Sequence, residues 1–531
     1  MTDIDLKAAL RGEPGPSLVR VVTGLGVAAF GLWLVAVIGY YSVKSDTTNL
    51  ASGDSTDRGA LTTDDTTPVE GPTTQIDPTT GEIVQVDPAT GQVIPSGARA
   101  GTATTKPGTV SGTGGTTATT RAGGTATTAA PTSGAGDRTG VTASELKWAV
   151  HAPVTFDGVD VGLAADPLKG VDTYLGIVNA QGGINGRKIV HKVFDDRYTV
   201  SGASSSSKEA VNDYKPFFVS GTLGVDQVAV YALEAKKRGV PYIAAGGSEK
   251  AFKDIGMFQT AASYDTHLIQ LADFLAKESK TSGSPYFGLT KVGVMALDSD
   301  YIKPSVEAFK AQLAAKGMSL VKTVTVMKPT EQKTYATEEQ ELAGAGVQIL
   351  VPAMDPISTS RVVAECGNPN NTPTPACPWK WTFSNFAHDS DTALALMGGR
   401  WAGIRGLSGA CYYQAPTRSD SSKCAKMGAA HDQWVSKHTE ADWVENGSGG
   451  AAGYQIVHIW LKALKDAGAD PTRERFRAAL STYSGYDDLI STPISFKGSP
   501  NISHGAEKMV VLEGQTNAKY QQLTPGFVNA F

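Results

Sequence analysis

Residues 170–196 read GVDTYLGIVNAQGGINGRKIVHKVFDD, and the order of helix, glycine stop, turn and strand in this stretch decides the fold. Val171, Tyr174, Leu175 and Val178 recur at the spacing of one helical face. Gly182 and Gly183 stand where a left-handed residue closes a helix, and Asn185-Gly186 suits a tight turn. Ile189, Val190, Val193 and Phe194 then predict a short buried strand ending at Asp195 and Asp196.

The same alternation continues downstream. Strands are predicted over 146–150, 216–219, 240–244, 291–295, 321–326 and 348–352. Helices are predicted over 225–238 and 303–315, with an amphipathic helix over 453–467 closed by Gly468. Strands alternating with helices imply an α/β fold with doubly wound parallel sheets.

The run NAQGGINGRK, followed by a strand and Asp-Asp, resembles the type I periplasmic solute-binding proteins, and among them the leucine/isoleucine/valine-binding family of ABC transporters. The resemblance extends from about Leu146 to near the C-terminus. It implies two lobes joined by a hinge and crossed several times by the chain, lobe 1 at about 143–264 and 411–485, lobe 2 at about 265–410 and 486–531. It further implies a small polar ligand, amino acid or amide-like, held between the lobes at the carboxyl ends of the strands. The expected activity is capture without chemistry, followed by delivery to the permease and ATPase subunits of an importer. A sensor ectodomain that signals through a partner membrane protein is the alternative.

Carried over residue by residue, the resemblance places one wall of the site at Leu223, Gly224 and Val225, where amides at a helix N-terminus hold an anion. Relatives often carry a hydroxyl at the position of Val225. Gly246, Gly247 and Ser248 match the second wall, although Ser248 also suits an ordinary helix N-cap. Tyr301 matches a tyrosine that closes over the ligand. Met354 and Asp355 follow the strand ILVPA, and Asp355 either pairs with a ligand ammonium or caps the next helix. Asn385 stands where amino-acid binders place an acid.

The chain has 531 residues and a net charge of −5, which gives no electrostatic case for nucleic acid. Residues 21–43 (VVTGLGVAAFGLWLVAVIGYYSV) are uncharged and long enough to span a bilayer. They read as an uncleaved signal anchor, because the apolar run is longer than that of a cleaved signal peptide. Lys7, Arg11 and Arg20 precede it, so residues 1–20 stay cytoplasmic and the folded part lies on the cell-wall side.

Residues 44–142 are rich in Thr, Gly, Ser and Pro and read as a tether without fixed structure, reaching on the order of 50 to 60 Å. Within it the repeat QIDPTTGEIV, QVDPATGQVI is the one candidate for small hairpins, and an unstructured spacer is the favoured reading. Residues 143–531 form the binding domain.

The four cysteines, Cys366, Cys377, Cys411 and Cys424, suggest two disulfides in an exported protein, with three pairings open. Their spacing does not suit structural zinc, and no metal or other cofactor is expected. No phosphate loop, dinucleotide fingerprint or G-x-S-x-G elbow is present in the folded part, and Asp195 and Asp196 read as strand-end caps.

Overall fold

The computed structural model describes residues 136–528, apart from 157–158, 161–163, 223, 245, 250–254, 368, 385, 413–426, 485–493 and 497–507, together with three short strands nearer the N-terminus. The chain divides into Met1–Glu70, which lies outside the described residues, and Gly71–Phe531.

The first sheet is five-stranded and wholly parallel. It contains β1 (Glu145–Ala152), β2 (Lys188–Asp195), β3 (Phe218–Gly221), β4 (Tyr242–Ala244) and β5 (Phe258–Gln259), in the order β5-β4-β3-β1-β2. Helices α1 (Ala165–Ala180), α2 (Val200–Lys208) and α3 (Asp226–Lys237) connect its strands, as the crossovers of a parallel sheet require.

The opening motif is explained by its contacts. α1 buries Val171, Tyr174, Leu175 and Val178. It ends at Gly182 (φ 96°) and Gly183 (φ 72°), and Asn185 (φ 51°) and Gly186 (φ 78°) make the turn into β2. Asn179 exchanges two hydrogen bonds with the Ile189 backbone, donating to its carbonyl at 2.8 Å and accepting from its N–H at 2.9 Å. These satisfy peptide groups of an edge strand that has no neighbour on that side. Arg187 donates to the carbonyls of Thr142 and Ala469, tying the turn to both flanks of the domain.

The chain passes to the second lobe through α4 (Tyr264–Glu278). There β6 (Lys291–Leu297), β7 (Ser319–Val326), β8 (Ile349–Ala353) and β9 (Lys380–Trp381) form a parallel sheet ordered β7-β6-β8-β9. Helices α5 (Lys303–Ala315), α6 (Ala336–Gly344) and α7 (Pro356–Cys366) alternate with these strands. One residue beyond β9 a further sheet begins, β10 (Phe383–Ser384), β11 (Arg405–Ser408), β12 (Val510–Gly514) and β13 (Tyr520–Gln522), with α8 (Asp391–Met397) between β10 and β11. Its β11–β12 and β12–β13 pairs are antiparallel, so the second lobe is mixed where two parallel sheets were expected. The antiparallel strands come from the C-terminal return of the chain, which a helical crossover does not join.

Helices α9 (Met427–Val435), α10 (Glu440–Asp466) and α11 (Arg473–Ser481) bring the chain back to the first lobe. α10 starts well before the predicted residue 453. The run NGSGGAAG is helical and is the seam of a close helix crossing. A Cβ on Gly450 would strike the Trp434 ring, one on Gly170 the Gly450 carbonyl, and one on Gly453 the Pro167 carbonyl. Trp460 of α10 packs against Trp148 and Phe218 in the core of the first lobe. Ile494 and Phe496 join that same core, Phe496 meeting Phe258, so the first lobe keeps residues that were expected in the second.

Two boundaries differ from expectation in the N-terminal segment. The packed domain already includes residues 136–142, where Asp137 pairs with Arg473 at 2.5 Å and Arg138 with Asp470 at 2.7 Å. The DPxTG repeat pairs as an antiparallel three-stranded meander, Thr73–Ile76, Ile83–Val86 and Val93–Ile94, in place of the unstructured reading. Alternating β-branched residues and a third strand supply the pairing that one hairpin lacks. Residues 21–43 lie outside the described residues. Among the described residues no helix is long and apolar enough to cross a membrane.

Candidate functional site

A cleft lies between the lobes, at the carboxyl ends of strands from both. From the first lobe come Phe156, beyond β1, Tyr198, beyond β2, and Gly224 and Val225, beyond β3. The second lobe supplies Leu297 at the end of β6, Ile302, Ala353 at the end of β8, Met354, Asp355 and Pro356, with Tyr264 and Phe386 completing the wall. Ligands of open α/β sheets bind at this edge because the strand-to-helix loops converge there.

The paired carboxylates of the opening motif position Tyr198. Arg197 and Tyr198 both have φ near 54°, a left-handed conformation that costs a non-glycine residue about 1–3 kcal/mol. Asp195 accepts the Arg197 N–H and Asp196 the Tyr198 N–H, both at 2.9 Å. Asp195 also accepts the N–H groups of Val154 and Thr155, which fixes the loop that carries Phe156. The Phe156 and Tyr198 rings then meet at 4.8 Å.

Asp196 has a further partner that sequence reading missed. Its other oxygen lies 2.9 Å from His151 Nδ1, and His151 Nε2 lies 2.5 Å from the Tyr242 hydroxyl, all three side chains being buried. This chain braces β1, β2 and β4 beneath the cleft floor.

The expected site residues divide. Gly224, Val225, Met354 and Asp355 line the cleft. Gly246 and Gly247 meet Tyr264, and Ser248 is buried next to them in the chain. The Gly247 carbonyl accepts the Tyr264 N–H at 2.8 Å, and a Cβ on Gly246 would sit 3.7 Å from the Tyr264 ring. Tyr264 in turn stacks on Phe386 at 4.3 Å. Tyr301 is half-buried against the cores of both lobes, and its neighbour Ile302 takes the place on the wall. Leu223 and Asn385 lie outside the described residues.

Asp355 caps α7. One oxygen accepts the Ser358 N–H at 2.9 Å and the other the Ser358 hydroxyl at 2.7 Å. Burial raises its pKa, and those bonds act against the rise. The N-terminus of α3, expected to hold an anion, carries its own: Asp226, in its first turn, accepts from Ser299 Oγ at 2.6 Å and pairs with Lys328 at 3.2 Å. Burial, then the nearby Asp355, pushes the Tyr198 hydroxyl well above the usual tyrosine range, so it remains a donor.

Cys366 and Cys377 form a disulfide. Cys411 is also disulfide-bonded, and Cys424 lies outside the described residues. Glu339 brings a carboxylate oxygen within 4.8 Å of the Cys366 and Cys377 sulfurs. With the sulfurs bonded to each other, the group offers no thiolate to a metal.

The phenylalanine and tyrosine residues that dominate the wall escaped the sequence reading. Their one signal was position: Phe156 and Tyr198 each follow a predicted strand within a few residues.

A two-lobed α/β frame with a cleft at converging strand ends is an architecture suited to holding a ligand. The chain belongs to the periplasmic binding protein family, which matches residues 154–519. Its function is binding, not catalysis. No curated protein is significantly similar in sequence.

Solved structures share the fold at low identity. A fatty acid ABC transporter substrate-binding protein from Thermomonospora curvata is 18% identical with a TM-score of 0.57, the match covering 74% of this chain and 94% of that one. The branched-chain amino acid transporter substrate-binding protein of Streptococcus pneumoniae, in complex with isoleucine, is 15% identical with a TM-score of 0.56, covering 73% and 100%. A solute-binding protein of an ABC transporter from R. palustris, in complex with benzoate, is 17% identical with a TM-score of 0.55, covering 73% and 97%.

Proposed function

We propose that this protein is a membrane-anchored extracellular solute-binding protein that captures a small ligand between its lobes and delivers it to the permease and ATPase subunits of an ABC importer. The observation that carries the reading is the cleft itself, walled by residues of both lobes at the carboxyl ends of their strands. A ligand there touches both lobes at once, so its binding favours their closed arrangement. The names of the structural relatives, all substrate-binding proteins of ABC transporters, support the importer as partner. The uncharged run at 21–43 supports the anchor, and the Thr/Gly/Ser/Pro-rich segment after it a tether on the cell-wall side.

The test is a thermal-shift screen of the full-length chain against amino acids, amides, aromatic acids and sugars. A ligand present at about 100 times its Kd stabilises the folded form by about 2.7 kcal/mol, a visible rise in Tm. A hit that is recovered chemically unchanged fits the proposal. A hit that is turned over, or no hit at all, contradicts it.

A further inference from the structure

Deepening the reading of the cleft as the ligand site, on which it rests, we infer that Asp226 and Lys328 form a closure lock, a charge pair split between the lobes that lets them close in one register only and ties that register to the Tyr198 wall of the cleft.

Asp226 opens α3 in the first lobe, directly after the lining residue Val225. Lys328 belongs to the second lobe, two residues beyond β7. Both are buried, and the ammonium meets the carboxylate at 3.2 Å. The second lobe adds Ser299, beyond β6, whose hydroxyl donates to the other Asp226 oxygen at 2.6 Å. Lys328 Nζ also sits 5.5 Å over the ring of Tyr198, so one side chain of the second lobe meets two groups of the first, a carboxylate and a residue of the cleft wall. A second bridge lies at α4, where one Asp265 oxygen accepts the Glu249 N–H of the first lobe at 2.8 Å and the Ser305 hydroxyl of the second at 3.1 Å.

When the lobes part, Asp226 and Lys328 each regain water, which offsets most of their mutual attraction. The net gain from the pair is therefore small, and closure stays reversible. The penalty for missing the pair is large. A closed arrangement that buries Asp226 away from Lys328 leaves an uncompensated carboxylate, and this disfavours neighbouring registers of the lobes. The lock thus selects one closed form without holding it shut. The register that pairs the charges is also the one that sets the ammonium over Tyr198.

The experiment measures the separation of the lobes by double electron–electron resonance in the full-length chain, between nitroxides carried by Lys208→Cys in α2 and Lys310→Cys in α5, both exposed positions. This labelled parent is expected to show one narrow distance. Lys328→Met should lower the ratio of that population to longer distances about ten-fold or more, and Ser299→Ala should shift it less in the same direction. Adding Asp226→Asn to Lys328→Met removes the unpaired charge, and the lobes should close again with a broader spread of distances. A broad spread in the parent, an unchanged narrow distance in Lys328→Met, or a double variant as open as Lys328→Met overturns the lock. Should Lys328→Met alone lose its melting transition, Ser299→Ala and the double variant decide, and the parent's narrow distance in both overturns it. None of these measurements uses a ligand, so the lock can fail while a hit in the thermal-shift screen upholds the cleft, and the screen can fail while the lock stands.

Discussion

Asp226 and Lys328 join the two lobes through an ion pair of 3.2 Å, with both side chains almost withdrawn from water. Asp226 opens α3 in the first lobe, and Lys328 follows β7 in the second, where Ser299 adds its hydroxyl to the same carboxylate. Lys328 Nζ meets Asp226 as an ion pair without an aligned hydrogen bond, and it sits 5.5 Å over the Tyr198 ring. The pair therefore fixes one relative setting of the lobes beside the cleft. Breaking a buried pair from one side typically costs about 3–5 kcal/mol, because the surviving charge stays buried. Lys328→Met should lower stability on that scale, and Asp226→Asn in the same chain should restore part of it. Urea unfolding of the two single variants and the double variant reads the coupling. Additive losses would show that the two side chains do not act as a pair.

Asp196→Ala should cost more than an ordinary cap, because the carboxylate holds both the left-handed Tyr198 and His151. We expect a loss of about 2–3 kcal/mol by urea unfolding, larger than for Asp172→Ala on the exposed side of α1. Equal losses would remove Asp196 from this role.

The crossing of α1 and α10 is built on glycine. Gly453→Ala would set a methyl group against the Pro167 carbonyl, a backbone atom that cannot swing aside. In an exposed helix the same change would be stabilising. Here it should destabilise by about 1–3 kcal/mol, as overpacking does. A raised Tm for Gly453→Ala would contradict the tight seam.

How much of this was legible in the sequence differs by level. Residues 170–196 carried the helix, the glycine stop and the strand, because each uses a local signal that the final structure keeps. α10 begins at Glu440, before the expected 453, and the role of its Gly450 and Gly453 depends on the distant Trp434 and Pro167, which no local signal reports. Four of the expected site residues line the cleft. Gly246 and Gly247 meet Tyr264, and Ile302 beside Tyr301 is the residue in the lining. Which of two adjacent turn residues faces a cleft depends on the turn, and no periodicity reports it. Single aromatics such as Tyr264 and Phe386 belong to no motif, so nothing in the sequence separates them from core residues.

His267 gives a pH dependence with a defined sign. It is buried, its Nδ1 lies 3.2 Å from Ser384 Oγ, and burial pushes its pKa down from 6.5 to about 3. Between those values the unfolded chain binds a proton that the folded chain refuses. The stability contribution is whole above pH 6.5 and is lost as pH falls below it, by at most about 1.4 kcal/mol per pH unit. His267→Gln should flatten this part of the pH profile measured by urea unfolding. An unchanged slope would show that other groups set it.

The central claim is that ligand occupies the cleft between the lobes, and one comparison tests it most directly. The best-binding probe from the thermal-shift screen is titrated calorimetrically into the full-length wild type and into Val225→Trp, whose larger ring takes up space where Val225 lines the wall. Melting temperatures of the two free proteins are measured alongside. Val225 is itself buried, so the account predicts a lowered but still cooperative melting transition in the variant and an affinity at least about 100-fold lower, a loss of about 2.7 kcal/mol. Equal affinity in a folded Val225→Trp protein would place the ligand elsewhere and contradict the account.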